Sequence, residues 1–380
     1  MNDMKGKHCM VWMGLLLVLS ACHTGKQITA SGLQRKDFQT EVNGQHTDLF
    51  TLSNKKGMEV CITNYGARVV SILVPDRNGK REDVVCGFST ITEYMEQRQN
   101  FGSTVGRYIG RILNARFMLD GVEYKLVPKH GKSGHSATGG NPGFADRIWK
   151  VEQADTHTVR LSYLSPDGEN GFPGNLKVTL VYRLGEDDNA LDLTYEATTD
   201  APTVLNLSHH SFFNISGDFT KSVEDQQLWV DADRFTPYDD KKCVTGEYLP
   251  VAGTPLDFRM PHTIGEYIDA DYPQLKVVNG YDHTWELNTK GDDTRPAAWV
   301  YDPTSGRKME IFTTEPGIQI YTGNGLKGKM TGKGGIAYPF RSAVCFETMH
   351  FQDSPNQPGF PSTVLRPGEV FHSHTVYKFE

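Results

Sequence analysis

Residues 206–214 read N-L-S-H-H-S-F-F-N and set two imidazoles side by side. Histidine titrates near neutral pH, so it can give or take a proton under ordinary conditions. A strand turns adjacent residues to opposite faces, so one of His209 and His210 can enter a site while the other packs or meets water. Adjacent histidines are also common as hydrogen-bonded structural residues. Residues 343–350 read A-V-C-F-E-T-M-H. On a strand, Ala343, Cys345, Glu347 and Met349 share one face. A carboxylate among small and apolar neighbours is costly to bury without partners. Glu347 is therefore either ion-paired at a sheet edge or a working acid or base.

Three more stretches offer groups for a hydroxyl-rich ligand. Residues 101–112 (F-G-S-T-V-G-R-Y-I-G-R-I) place Arg107 and Arg111 in a Gly-rich strand or turn. Guanidinium forks there can hold hydroxyl or carboxylate oxygens. Residues 279–285 read N-G-Y-D-H-T-W, and residues 314–324 read T-E-P-G-I-Q-I-Y-T-G-N. Asp, Gln, Arg and Trp converging on one pocket suit a sugar, with polar groups on hydroxyls and rings on C–H faces. His372 and His374 share a strand face, but no third ligand at suitable spacing accompanies them, so no metal site is assigned. Residues 323–329 (G-N-G-L-K-G-K) approach a phosphate-binding loop. Met330 stands where Ser or Thr should hold magnesium, and the glycines that follow oppose a helix, so that reading is rejected.

The elements that must carry these groups are strands. Residues 58–65 and 67–74 are β-branched runs divided by Gly66. Residues 158–164, 176–184 and 190–198 alternate apolar and polar, the period of half-buried antiparallel strands. Further strands are expected at 298–301, 308–313, 318–321, 343–348 and 370–379. Asp120-Gly121, Asp167-Gly168, Ser305-Gly306 and Pro367-Gly368 supply turns. Helical periodicity is confined to 91–97 and the region near 264–268. No βαβ alternation appears, which disfavours a doubly wound nucleotide fold. The expected fold is all-β: one large antiparallel β-sandwich over residues 37–380.

The 380 residues hold 39 Lys+Arg against 46 Asp+Glu, a net charge of −7. No basic excess exists to neutralise phosphates, so no nucleic-acid partner is expected. A hydrophobic share of 38% supports a packed core. Residues 1–21 read as a bacterial export signal: Lys5 and Lys7, a mostly apolar run over 10–19, then Leu19-Ser20-Ala21-Cys22. That run is about half of what a bilayer span requires. The last four residues resemble a lipoprotein box, in which Cys22 becomes the lipidated first residue. Residues 22–36 read as a flexible tether, and the expected location is a membrane-anchored lipoprotein facing the periplasm. Cys61, Cys86, Cys243 and Cys345 show no framework spacing and are expected as buried free thiols.

Taken in order, these motifs resemble the aldose 1-epimerases, the galactose mutarotase family, from about Phe38 to Glu380. The likeness includes residues 165–174 (S-P-D-G-E-N-G-F-P-G) and Leu365-Arg366-Pro367-Gly368-Glu369. It implies a β-supersandwich with no metal or organic cofactor and a free aldose as substrate. By motif, His210 matches the family's general acid and Glu347 its general base. Arg111, Asp282 and Gln319 match its sugar-holding residues. Two positions depart. Gly110 stands where many members have Asn, and Thr138 stands at the His of the family's L-H-G-G motif. His135, three residues earlier, is the expected substitute for that His. The expected reaction is exchange of α and β anomers by ring opening and closure. The alternative is a lipid-anchored sugar-binding protein without catalysis. A glycosidase using paired carboxylates fits less well, because the site offers one Glu with a His. No protein partner is evident.

Overall fold

A computed structural model describes residues 27–128 and 134–380. The signal segment and Cys22 lie outside the described residues. All paired strands are antiparallel, as the alternating patterns require. The largest sheet has nine strands, in the order Lys150–Ala154, Thr158–Ser165, Leu176–Leu184, Ala190–Thr199, Phe371–Phe379, Lys308–Thr313, Ala298–Tyr301, Gln227–Val230 and His262–Thr263. A six-stranded sheet runs Phe212–Phe213, Val344–Met349, Gly317–Tyr321, Asp282–Glu286, Arg234–Thr236 and Leu249–Pro250. Four strands, Leu49–Ser53, Glu59–Thr63, Arg68–Pro75 and Arg81–Asp83, form a third sheet.

The sheets share one core. Leu180 and Leu193 from the large sheet, Ile320 and Phe346 from the six-stranded sheet, and Val60 and Ile72 from the third belong to one buried cluster. Leu176–Leu184 buries every second residue completely, so its period-two pattern is spent on this core. The outer strands of the third sheet differ from its centre: Glu59–Thr63 is buried at every position, which is why it reads as a continuous apolar run. Tyr377 of the large sheet donates its hydroxyl to Phe346 O of the six-stranded sheet at 2.9 Å. That bond satisfies a buried phenol and ties the two layers together.

Two expectations change. The tether predicted over 22–36 is folded from residue 27 onward. Ile28 bridges Gln34, Leu33 is buried, and Ala30 N–H donates to Glu59 Oε1 at 2.6 Å. Arg35 Nε donates to Asp48 Oδ1 at 2.8 Å, which pins the segment to the third sheet. The helix predicted near 264–268 is a run of turns, because Ile264 and Gly265 spend their N–H groups on Gln226 O and Glu224 O. The helix in that region is Pro273–Val278, opened by a proline at its first turn. The helix expected at 91–97 is present as Ile91–Gln97, started by a Thr90–Glu93 capping box. Among the described residues no helix is long and apolar enough to cross a membrane. The four expected free thiols are all buried and unbridged.

Candidate active site

His210 ends the short strand Ser208–His210, which pairs with Ser103–Val105. Two links lock it to the strand bearing Glu347. Upstream, the buried Asn206 accepts from His350 N–H and donates to His350 O, both at 3.0 Å. Downstream, Phe212 and Phe213 pair with Cys345 and Val344. The imidazole is thus fixed from both sides against Val344–Met349. Phe212 also stacks on its ring, with centroids 5.0 Å apart.

The alternation of the histidine pair is as the sequence predicts. His209 turns into the core, between Tyr182 and Tyr377, and its Nε2 meets Ser211 Oγ at 2.6 Å. Burial pushes its pKa down to about 3, so it is a neutral structural residue. His210 turns the other way, and its Nε2 stands 3.5 Å from Glu347 Oε1. Their side chains are only 12% and 7% exposed. Cys345 Sγ lies 3.6 Å from the other ring nitrogen. Donor atoms of His210, Cys345 and Glu347 lie within 4.8 Å of one another. The thiol faces Nδ1 and the carboxylate faces Nε2, so the imidazole turns a different nitrogen to each rather than presenting one lone pair shared with both toward an ion.

Burial raises the Glu347 pKa well above the ordinary carboxylate range, and the negative charge of Asp282 adds to the rise. Such a group is a better proton acceptor than a surface carboxylate once it is ionised. A protonated imidazole beside it favours the ionised form.

These two residues form the floor of a cavity of about 240 Å³ that is also lined by Arg111, Asp282, Gln319 and Gln352. That is room for one small polar molecule. Gln319 faces Glu347 across the ladder between Gly317–Tyr321 and Val344–Met349. Its Nε2 donates to Asp282 Oδ1 at 2.6 Å, and its Oε1 accepts from Thr284 Oγ1. Asp282 is itself pushed upward by burial, partly offset by Arg111 and by the Gln319 bond. Arg111 lies on a two-residue strand paired with Ser136–Ala137, its guanidinium 6.0 Å from the Tyr238 ring centroid.

Arg107, grouped with Arg111 by sequence, is not in the cavity. It is buried and donates to Pro173 O, Gly174 O and Ser165 Oγ at 2.8, 2.9 and 2.6 Å. It holds the loop over 165–174 in place. His135, expected to contact the ligand, lies outside the cavity lining. Its Nδ1 accepts from Asn114 N–H at 2.9 Å and its Nε2 meets Cys243 Sγ at 3.2 Å. The reason is register: Ala137 pairs with Arg111, so Thr138 is the residue that reaches the cavity and His135 is carried past its rim. His374, one of the pair considered for a metal, is clamped by Asp293 at 2.7 Å and Asp192 at 3.4 Å. Sequence reasoning missed Tyr321 and Gln352. Tyr321 shares the strand face of Gln319 and was within reach of the period-two rule. Gln352 follows the strand end, where no periodic signal exists.

A wider depression of about 820 Å³ surrounds Pro255, Arg259 and Tyr267. His262 and Glu266 approach to 3.8 Å there, but both ring nitrogens of His262 face backbone carbonyls, Thr263 O at 3.0 Å and Asp257 O at 3.2 Å, and the Asp257–Arg259 pair is closed on itself at 2.8 Å. Size and chemistry point to different places, and the chemistry decides.

A family model described as aldose 1-epimerase matches residues 48–378. The chain is 38% identical over 322 residues to galactose mutarotase of Sus scrofa, covering 85% of this chain and 91% of that one. It is 36% identical over 339 residues to aldose 1-epimerase of Escherichia coli, covering 89% and 96%. Among solved structures it resembles an aldose epimerase homologue from C. elegans with a TM-score of 0.81 and 30% identity, covering 88% of this chain and 99% of that one. A galactose 1-epimerase from Lactobacillus acidophilus aligns with a TM-score of 0.78 and 28% identity, covering 90% and 97%. With an acid–base couple at the floor of a sugar-sized hollow and a match of this extent, the chain belongs to the aldose 1-epimerase family.

Proposed function

We infer that the protein exchanges the α and β anomers of a free aldose. The observation that carries this is the 3.5 Å approach of His210 Nε2 to Glu347 Oε1 on the cavity floor. The hydroxyl oxygen and the ring oxygen of a hemiacetal are borne by one carbon, C1. An acid and a base this close can address both oxygens at once.

Glu347 takes the proton from the C1 hydroxyl while protonated His210 gives one to the ring oxygen. The C1–ring oxygen bond breaks and its electron pair goes to that oxygen; the C1–hydroxyl oxygen bond becomes the aldehyde double bond. Rotation about C1–C2 presents the other face. Closure reverses both transfers and returns each group to its starting state. Each positioned acid or base is worth about 10² to 10⁴ in rate. Arg111, Asp282 and Gln319 hold the remaining hydroxyls, so the ring opens without the sugar escaping.

The test is NMR exchange spectroscopy of glucose, galactose, xylose and arabinose with purified protein. Accelerated α/β exchange is expected for at least one of them. Saturable binding without exchange at any of the four would select the non-catalytic sugar-binding reading, which Thr138 at the cavity rim favours.

The amino-terminal motif supports export and lipid anchoring at Cys22 on the periplasmic side. Labelled fatty acid should enter the wild-type chain and not Cys22→Ala. Equal labelling, or none in either, would remove the anchor.

A further inference from the structure

Gln352 is buried just beyond the strand of Glu347, and its side chain bends back to line the cavity. Its Oε1 accepts from the backbone N–H of Arg111 at 3.2 Å and lies 3.5 Å from Arg111 Nη1. Its Nε2 donates to the Tyr238 hydroxyl at 2.6 Å and approaches Gln319 Oε1 at 3.4 Å. One amide thus joins Arg111 on one wall to Gln319 on the other. The orientation is set by chemistry, since only the oxygen can accept from Arg111 N–H.

A second observation concerns the seat of this side chain. Gly110 has a φ of +78°, and a Cβ placed on it would lie 2.6 Å from Gln352 Cγ. The bare backbone at 110 is what lets Gln352 lie flat against it.

We propose that Gln352 is a positioning residue for sugar binding, seated by Gly110, and that it fixes the separation of Arg111 and Gln319 as they grip the hydroxyls remote from C1. The proposal rests on the epimerase reading above. No hydrogen bond described for Gln352 reaches His210 or Glu347, so the proton transfers do not pass through it. Its loss weakens ground state and transition state alike, which raises KM and leaves kcat nearly unchanged.

The experiment compares anomer exchange by wild type, Gln352→Ala, Gln352→Met, Gly110→Asn and the double variant Gly110→Asn/Gln352→Ala. Methionine fills the same space without the amide, so a pure packing role would leave Gln352→Met at the wild-type KM. The expected result is a KM raised about tenfold in both Gln352 variants, the size of one or two lost hydrogen bonds, with kcat within about twofold of wild type. Asn tolerates the left-handed backbone, yet its Cβ must displace Gln352, so Gly110→Asn should raise KM too. The double variant should be no worse than Gln352→Ala alone, because the two changes act on one seat. A wild-type KM in Gln352→Met, or additive losses in the double variant, overturns the proposal. Should wild type bind sugar calorimetrically but exchange no anomers, the epimerase reading fails. Weaker sugar binding by Gln352→Met would then still support the positioning role, and equal binding would sink it.

Discussion

His210 Nε2 stands 3.5 Å from Glu347 Oε1, and neither position is free to drift. Asn206 and the Phe212–Cys345 pairing fasten the histidine segment to the glutamate strand at two points on either side of the ring. The relation of imidazole to carboxylate is therefore built from the Asn206 amide and from strand pairing, neither of which involves the His210 or Glu347 side chain, so replacing either side chain should leave the scaffold intact.

Glu347→Gln and His210→Asn should each cost about 10² to 10⁴ in kcat, the usual worth of a positioned acid or base. Neither breaks the links between the two strands, so far-UV circular dichroism should stay near wild type, while His210→Asn loses the stack on Phe212 and should lower Tm slightly. Because the two residues act on one substrate carbon, the double variant should lose little beyond the worse single one. Exchange rates near wild type in either single variant would remove that residue from the mechanism.

The acid limb of kcat/KM should lie above the pH of an ordinary glutamate, because burial and then Asp282 raise the Glu347 pKa. Activity falls as pH drops through that raised value, since the protonated carboxyl cannot accept the C1 hydroxyl proton. Asp282→Asn removes a like charge, so the Glu347 pKa should fall and the limb should move to lower pH. The profile is read on kcat/KM, which reports the free enzyme. A limb that stays put in Asp282→Asn would show that Asp282 does not face Glu347 electrostatically.

The site was legible where chemistry followed a strand's period of two. His210 opposite His209, and Glu347 beside Cys345, are correctly faced because alternation is a geometric necessity of a strand. Gln319 lies on the same ladder and was equally readable. Long-range register was not readable: nothing local says that Ala137 pairs with Arg111, and a shift of this kind sends His135 past the rim and Thr138 into the cavity. Arg107 and Arg111 look alike in sequence, and only the loop over 165–174 decides that the first is spent on carbonyls. The packing of residues 27–36 was hidden for a related reason. Their polar composition describes a tether, while Leu33 and the Ala30–Glu59 contact fasten them to a sheet.

His374 gives a stability prediction away from the cavity. Hydrogen bonding to Asp192 raises its pKa first, burial opposes that, and Asp293 adds to the rise. A histidine whose folded pKa exceeds its unfolded value contributes stability that is fully present below the unfolded pKa of about 6.5. That contribution is lost as pH rises through the folded pKa. The Tm deficit of His374→Gln relative to wild type should therefore be larger at pH 5.5 than at pH 9. A deficit independent of pH would mean that His374 acts there by packing and neutral hydrogen bonds alone.

Thr138 should set which sugar is taken. It lines the cavity at the position where the family motif carries His, and it adopts a left-handed backbone with a φ of 49°. That conformation is uncommon for a β-branched residue, so the loop holds it there against its preference. A threonine side chain is shorter than an imidazole-bearing one and projects less far into the space that Thr138 and Arg111 line together. Thr138→His should fill that space and change relative kcat/KM among glucose, galactose, xylose and arabinose by about tenfold for at least one pair, the worth of one gained or lost polar contact. The hydroxyl arrangement differs among these sugars away from C1, so the change should appear in KM more than in kcat. A variant whose sugar ranking matches wild type across the panel would show that selection is made elsewhere, at Arg111, Asp282 and Gln319.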